Sequence, residues 1–472
     1  MSIPAEIRAV ERPKNTVVVA YGRNKDKYAV RSRSGCRNVG GRRIPIEGPV
    51  IGHIVDGEYV PLEDRPEPSE HDIVLKDWAN VEAAFLCSSD VLLDLKTVYG
   101  QREAMQMYCI AVLKACYHGI EDDELRNAYE GSFLSVRLPG VPLTRNNVSK
   151  LCDYLEESGP KAVQFMRDRV ARLRDPHDLA ICEAASDSSG ADPLPDYPGR
   201  PGSKGAANAI TVFSYDPRTL EPVCFKNYPG KTLDTAILGD FIETYAIKGG
   251  IVMADSRSSA NAARKASRNE PGLSYLLPLR RNAAPVDRCS MPCFGSVLKD
   301  DPSVECGKAK VSGRRRWLYW FRYTGTEAGE GRACHLGPKS AGPGAVVFES
   351  DRDASCEGIH RSCSGRRLVE SVLGHCCSGT RTRHGSAASE LLCFLSAIVT
   401  SRLVRAFSES GLLGDYSYGK VMRCLGRARK VRMGKEWKLV GTTARDLKVL
   451  QALGLVPRVI TIRNPRGRPK KK

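Results

Sequence analysis

The chain has 472 residues, of which 42% are hydrophobic and 27% charged, with 72 Lys/Arg against 54 Asp/Glu and a formal net charge of +18. That length exceeds one ordinary core, so roughly two to four domains are expected, and the apolar content excludes a chain disordered throughout. No run approaches the ~20 apolar residues of a membrane span, and 17 Cys in a chain whose start, Met1 to Arg8, lacks a secretory apolar stretch read as reduced thiols, not a disulfide framework.

The charge is unevenly placed. Residues 1–45 carry 11 Lys/Arg and 3 Asp/Glu, residues 402–472 carry 19 and 4, and the span between is slightly acidic. Basic ends around a near-neutral middle fit a catalytic body flanked by regions that grip a polyanion; the plainer reading is a pair of solvated ends. A cytoplasmic protein with no membrane partner is expected. The cysteines between Cys289 and Cys377 cluster without the paired Cys-x-x-Cys spacing of zinc sites, so no structural zinc is expected.

In chain order, Asn15–Gly22 and Lys27–Arg33 read as strands and Pro49–Val60 as a further hairpin, giving a basic β-rich module over residues 1–62. Residues 63–71, rich in Pro and acids, read as a linker. From Val81 to Cys116 apolar residues recur at helical spacing, and Thr144 stands as a cap before the periodic segment Arg145–Leu155. Residues 72–175 are therefore a helical region, either an ordinary packed bundle or one that presents a helix to a DNA groove. After Pro176 the texture changes to the strands Leu179–Cys182, Ile210–Tyr215, Pro222–Phe225 and Gly249–Ala254. With helices over Leu233–Tyr245 and Ser258–Arg268, these predict an α/β domain with a mixed sheet over residues 176–410. Residues 281–345, full of Gly, Pro and Arg around the strand Trp317–Tyr323, read as a β-rich insertion that interrupts this domain before its last helix. Helical patterning dominates Ala387–Phe407, whose run Leu391–Val399 is a core helix. Residues 411–472 are predicted as a basic helical C-terminal region.

Two acids stand out. The apolar run Gly250–Ala254 ends abruptly in Asp255, which places a carboxylate at a sheet edge, and Arg366-Arg367-Leu368-Val369-Glu370 reads as a helical segment that presents a second. Such a pair has the chemistry of a metal-dependent nucleic-acid enzyme. Taken singly, an Asp after a strand is a turn residue and a Glu beside two Arg is a solvated ion pair.

Further segments fall in a recognisable order. They are Arg12–Val17 through Gly52–Ile54, Asp216–Cys224, Tyr228-Pro229-Gly230-Lys231-Thr232-Leu233-Asp234, Gly250–Asp255, Leu273–Asn282 and Val346–Asp351. Together they resemble the DDE transposases of bacterial insertion sequences, in the branch whose ribonuclease-H-like catalytic domain carries a β-rich insertion before its final glutamate. That family's helix reads Tyr-x-x-Arg-x-x-x-Glu-x-x-x-x-x-x-Lys; Arg366 and Glu370 hold the Arg and Glu places, while Cys363 and Cys377 stand at the Tyr and Lys places. Gly365 stands where an acid is common and His360 where an aromatic is common. After Asp255 the chain has Ser256-Arg257-Ser258 in place of Lys/Arg-Gly-Phe. The first acid of the triad is expected after Leu179–Cys182, where Glu183 is the nearest substitute and Asp187 the next.

The resemblance implies Asp255, Glu370 and Glu183 as catalytic ligands of Mg²⁺ or Mn²⁺, with Asp255 bridging two ions, and Arg366 and Arg367 as contacts to DNA. It implies terminal inverted repeats and target DNA as partners, a homodimer at the DNA ends, and a nucleoid-associated place in the bacterial cytoplasm. The tail Pro465–Lys472 looks like an AT-hook, whose Arg466, Gly467, Arg468 and Pro469 form a narrow core suited to the A·T minor groove; the alternative is a generic basic tail. A second reading follows from the departures at Cys363, Gly365 and His360: a mutationally degraded, catalytically inactive copy that acts as a DNA-binding protein.

Overall fold

The β-branched run Val17-Val18-Val19 and the neighbouring strands fold as expected into an antiparallel sheet. Strands β1 (Thr16–Tyr21), β2 (Lys27–Val39), β3 (Arg42–Val55) and β4 (Glu58–Pro61) lie side by side in sequence order. The computed structural model describes residues 3–21, 27–39, 42–61, 73–175, 179–185, 209–229, 233–254, 257–279, 296–299, 301–311, 315–323, 345–378, 387–434 and 436–457. Val18, Val30 and Ile54 are buried on this sheet, and Ile3, Ile7 and Val10, in and around helix α1 (Ala5–Ala9), pack over them. Asp56 and Gly57 turn β3 into β4 with φ of 50° and 84°, the left-handed pair that matches strand twist in a two-residue hairpin. This sheet belongs to a unit formed by Met1–Val74 and Val431–Lys438; a second unit comprises Leu75–Lys430 and Leu439–Lys472.

Strand β5 (Val74–Asp77) leads into the helices of the second unit: α2 (Ala79–Val98), α3 (Gln101–Cys116), α4 (Leu125–Gly131), α5 (Leu134–Arg137), α6 (Arg145–Glu157) and α7 (Gly159–Ala171). The expected helical stretch breaks at Tyr99 and Gly100, both extended. Thr144 caps α6, its hydroxyl accepting the Asn147 N–H at 3.4 Å.

Next comes a sheet built from β6 (Ala180–Ala185), β7 (Ala209–Asp216), β8 (Glu221–Pro229), β9 (Gly250–Met253), β10 (Leu273–Pro278), β11 (Ser296–Val297), β12 (Val304–Lys310), β13 (Trp317–Tyr323) and β14 (Ala345–Ser350). The nine strands lie in the order β11-β12-β13-β14-β10-β9-β6-β7-β8. β8, β7 and β6 are mutually antiparallel, and β6, β9 and β10 are parallel. The protein is thus an α/β protein with a mixed sheet. The strand Trp317–Tyr323, expected in a β-rich insertion over residues 281–345, pairs with β12 and β14 and widens the sheet. β14 bonds to β10 on one side and to β13 on the other, and Leu279, Leu318, Trp320 and Val347 bury together across the join.

Helix α8 (Thr235–Thr244) is capped by Asp234, whose carboxylate accepts the Ile237 N–H at 2.8 Å. Helix α9 (Arg257–Asn269) covers β9 and β10, and α10 (Cys356–Ser378) lies on β6 and reaches β12 and β13. Helix α11 (Ala387–Glu409) is long and apolar enough to cross a membrane, yet most of its apolar window is buried against α2, α3, α10 and β8, as befits a core helix. After α12 (Leu412–Asp415) and α13 (Tyr418–Arg427) the C-terminal region departs from its helical expectation. Arg429–Met433 and Glu436–Val440 are strands β15 and β16, before the last helix α14 (Ala444–Ala452). Their alternation is carried by Lys and Arg between apolar residues, a pattern that reads equally as a charged helix face.

A buried ionic network joins the helices to the sheet. Glu221, at the start of β8, accepts from Arg169 of α7 at 2.7 Å and from Arg402 of α11 at 2.9 and 3.0 Å. Arg402 also bonds Asp90 of α2 and the Cys87 carbonyl. Burial pushes the Glu221 carboxyl up, and the two guanidiniums overcome it and bring its pKa down to about 2. An unfolded glutamate titrates near ~4.3, so the network's stabilisation is complete above that pH and is lost as pH falls through about 2. Glu221→Gln is expected to lower unfolding stability by roughly 3 kcal/mol at neutral pH. The urea-midpoint gap between variant and wild type should close as the pH is lowered from 5 toward 2; a gap independent of pH would refute the assignment.

Candidate active site

The centre of the sheet is a parallel pair. β6 and β9 align Cys182 with Met253, and parallel neighbours bring like ends together, so Glu183 and Ala254, each one residue further, reach the same edge. The approach is close because of Gly250. Its φ is 148°, and a Cβ there would stand 2.5 Å from the Leu179 carbonyl oxygen, which accepts the Ile251 N–H at 2.7 Å. Asp255, the next residue after Ala254, lies outside the described residues, as do Asp187 and the tail residues Arg466, Gly467, Arg468 and Pro469.

Helix α10 is fixed on the sheet by three contacts. Gly365 is buried where an added Cβ would meet Leu220 Cδ2 at 2.6 Å and Tyr215 Cε2 at 3.0 Å. The Tyr215 hydroxyl, fully buried, donates to the Ser362 carbonyl; burial, with Cys182 and Cys363 nearby, pushes its pKa well up, so it remains a donor. One residue beyond Gly365, Arg366 Nη2 donates to the backbone carbonyl of Glu183 at 2.9 Å. The structure therefore brings Arg366 and Glu183 together from 183 residues apart in sequence. Glu370 stands one turn after Arg366 on the same side of the helix and is half-buried, whereas Arg367 is exposed.

Glu183 is half-buried, and its Oε2 accepts the N–H of Leu233 at 2.9 Å, just before the cap of α8. Its carboxylate thus ties the end of β6 to the start of that helix. His360 sets its ring against Phe321 of β13, centroids 5.3 Å apart, which is the packing an aromatic at that place would make. Among the described residues no three His, Cys, Asp or Glu side chains gather as a metal-binding group. Of the three expected ligands, Glu183 and Glu370 are described, and both are hard oxygen donors of the kind Mg²⁺ prefers.

Sequence reasoning missed Tyr215, Leu220 and Gly365 as anchors of the helix. Glycine inside a helix costs about 1 kcal/mol relative to alanine, but sequence alone does not separate Gly365 from Gly374 in the same helix, where a Cβ would meet nothing.

No protein-family model matches the chain, and no curated protein matches it. Among solved structures the chain is similar to the piggyBac transposase in a synaptic complex with hairpin DNA, with a TM-score of 0.35 and 13% sequence identity, over 74% of this chain and 80% of that one.

Gly365→Val should overpack the seat of α10 and lower stability by about 1–3 kcal/mol. Gly365→Ala should cost less, since alanine regains about 1 kcal/mol of helix propensity. Thermal unfolding reads both, and a valine variant that melts with wild type would show that the helix does not depend on this contact.

Proposed function

We propose that the chain is a DDE-type DNA transposase whose α/β unit is a ribonuclease-H-like catalytic domain, acting on the terminal inverted repeats of an insertion sequence and joining them to target DNA as a homodimer. The bond from Arg366 to the Glu183 carbonyl carries this reading. It links the helix that the sequence resemblance assigns the last acid to the strand that it assigns the first. The strand order supports it further. Antiparallel β8-β7-β6 followed by parallel β9 and β10, with α10 returning over β6, is the arrangement that a carboxylate set at one sheet edge needs.

Asp255, Glu370 and Glu183 would hold Mg²⁺ or Mn²⁺, which supplies charge neutralisation at a phosphodiester and an activated oxygen nucleophile. The chain's own residues do the rest. Arg366 holds the glutamate helix to β6, so its part is to position Glu370. Arg367, exposed one residue later, offers a guanidinium to a DNA phosphate. The AT-hook-like tail adds affinity for A·T-rich sequence.

One observation favours the second reading, an inactive DNA-binding copy: Glu183 Oε2 is occupied by the Leu233 N–H, a bond that serves the fold with no metal present. Nicking of a supercoiled plasmid that carries the DNA flanking this chain's own gene separates the two. Asp255→Ala and Glu370→Gln are each expected to reduce Mg²⁺- or Mn²⁺-dependent nicking to background with DNA retention in a gel-shift assay unchanged. A wild-type chain that retains DNA without nicking it would overturn the enzyme in favour of the inactive copy.

A further inference from the structure

The β2–β3 hairpin outruns the sheet that holds it. β1 pairs with β2 over Lys27–Ser32, and β4 pairs with β3 over Gly52–Val55. Beyond those limits the two long strands pair with each other: Arg33 with Glu47, Gly35 with Ile46, Cys36 with Pro45, Arg37 with Ile44, Asn38 with Arg43 and Val39 with Arg42. Among the described residues no third strand joins them there. Arg33 is still held by the Asn15 carbonyl at 3.0 Å, so the two-stranded ribbon extends about 13 Å from Gly35 to Val39, at ~3.3 Å per residue.

Its root is firm and its direction is set. Val30 and Ile54 lie in the buried core of the sheet. A Cβ on Gly52 would meet the Tyr59 ring at 2.4 Å and the Val60 carbonyl at 2.6 Å, so β3 passes hard against β4 at the base. Register shifts fall between Val30 and Arg31, Arg31 and Arg33, and Arg33 and Gly35; bulges at such positions bend and twist a strand. They separate the sheet from the arm.

A bare ribbon invites further strands along its edges. Pro45 and Pro49 withdraw N–H donors from β3, and proline within a sheet belongs to edge strands, so extension by another strand is disfavoured on that side. The residues from Arg33 to Glu47 include Arg33, Arg37, Arg42 and Arg43 against the single acid Glu47. A positively charged ribbon is complementary to a polyanion. The major groove of B-form DNA, about 12 Å wide, admits a two-stranded ribbon, whereas the major groove of A-form RNA is too deep and narrow to be read this way.

We propose that the β2–β3 arm is a duplex-DNA-binding ribbon that lies in the major groove, its arginines neutralising phosphates on the groove walls. This deepens the reading of the chain as a DNA-handling protein and rests on it.

The test is equilibrium binding of the full chain to a fluorescent DNA duplex across a salt series, with wild type beside a variant combining Arg33→Gln, Arg37→Gln, Arg42→Gln and Arg43→Gln. Each phosphate contact contributes about 0.9 to the slope of log affinity against log salt. The quadruple variant is therefore expected to flatten that slope by roughly 2–4, with binding of an RNA duplex no tighter than that of DNA in either protein. Arg42→Gln and Arg43→Gln, made singly, should each flatten it by about 1, which keeps the test decisive if the quadruple variant does not fold. Wild type that binds the duplex while all variants keep its slope would overturn the arm and leave the DNA-handling reading standing. Wild type that binds no duplex would overturn both, and tighter binding of duplex RNA through the same arginines would replace the proposed ligand.

Discussion

Helix α10 approaches the strands closely, and that approach depends on a missing side chain. With no Cβ at Gly365, α10 can settle onto Tyr215 and Leu220; a larger residue there would have to displace the Leu220 side chain and press on the Tyr215 ring. The Tyr215 hydroxyl then meets the Ser362 carbonyl and the Arg366 guanidinium meets the Glu183 carbonyl. The helix pays about 1 kcal/mol in propensity for its glycine, and two hydrogen bonds that span distant elements are what it gains. Glu370 inherits its place from them.

The surrounding structure braces that seat from two directions. On the side of β8, Glu221 holds α7 and α11 through Arg169 and Arg402. Across the sheet, Glu349 of β14 is almost wholly buried, accepts the Tyr275 hydroxyl at 3.0 Å and faces Arg264 at 3.3 Å and Arg316 at 3.6 Å. Asp351 accepts Ser267 at 2.7 Å and the Tyr275 N–H at 3.0 Å. These contacts tie α9, β10, β13 and β14 together, so the strands beyond β10 belong mechanically to the sheet that carries the candidate site. Removing one partner from such buried sets leaves an uncompensated charge, which costs more than the intact pair contributes. Their value here is in fixing which strand lies beside which.

The parts of this architecture that were readable in advance are those written in local pattern. Buried runs such as Ile210–Tyr215 and Gly250–Met253 are strands because an uninterrupted apolar segment of that length fits a covered sheet, and Thr144 announces its helix by capping chemistry. Asp255, Glu370 and Glu183 were named from a resemblance, and the described structure reaches two of them. What local pattern does not encode is pairing. The strand Trp317–Tyr323 is obvious as a strand, but its neighbour β14 is known only from the fold. The Arg366–Glu183 bond spans the whole α/β region, and Glu183 meets Leu233 across 50 residues. The β2–β3 arm was half visible, since Lys27–Arg33 read as strand while the residues beyond it show no strand pattern.

The residues at which this chain departs from the motif it resembles are better judged by fit than by letter. Decay leaves misfits, because a substitution that no constraint screens is made without regard to its neighbours. At Gly365 the neighbour is Leu220, itself held at a φ of 56°, with the Tyr215 ring behind it. At His360 the neighbour is Phe321, and the two rings pack. Cys363 stands where the family has a tyrosine, and close by is the phenol of Tyr215, contributed by β7 and near enough to Cys363 and Cys182 for both to act on its hydroxyl. Glu183 differs from an aspartate by one methylene, and that extra reach is spent on the Leu233 N–H at the start of α8. Among the described departures, Gly365 and His360 each have a packed neighbour in the fold.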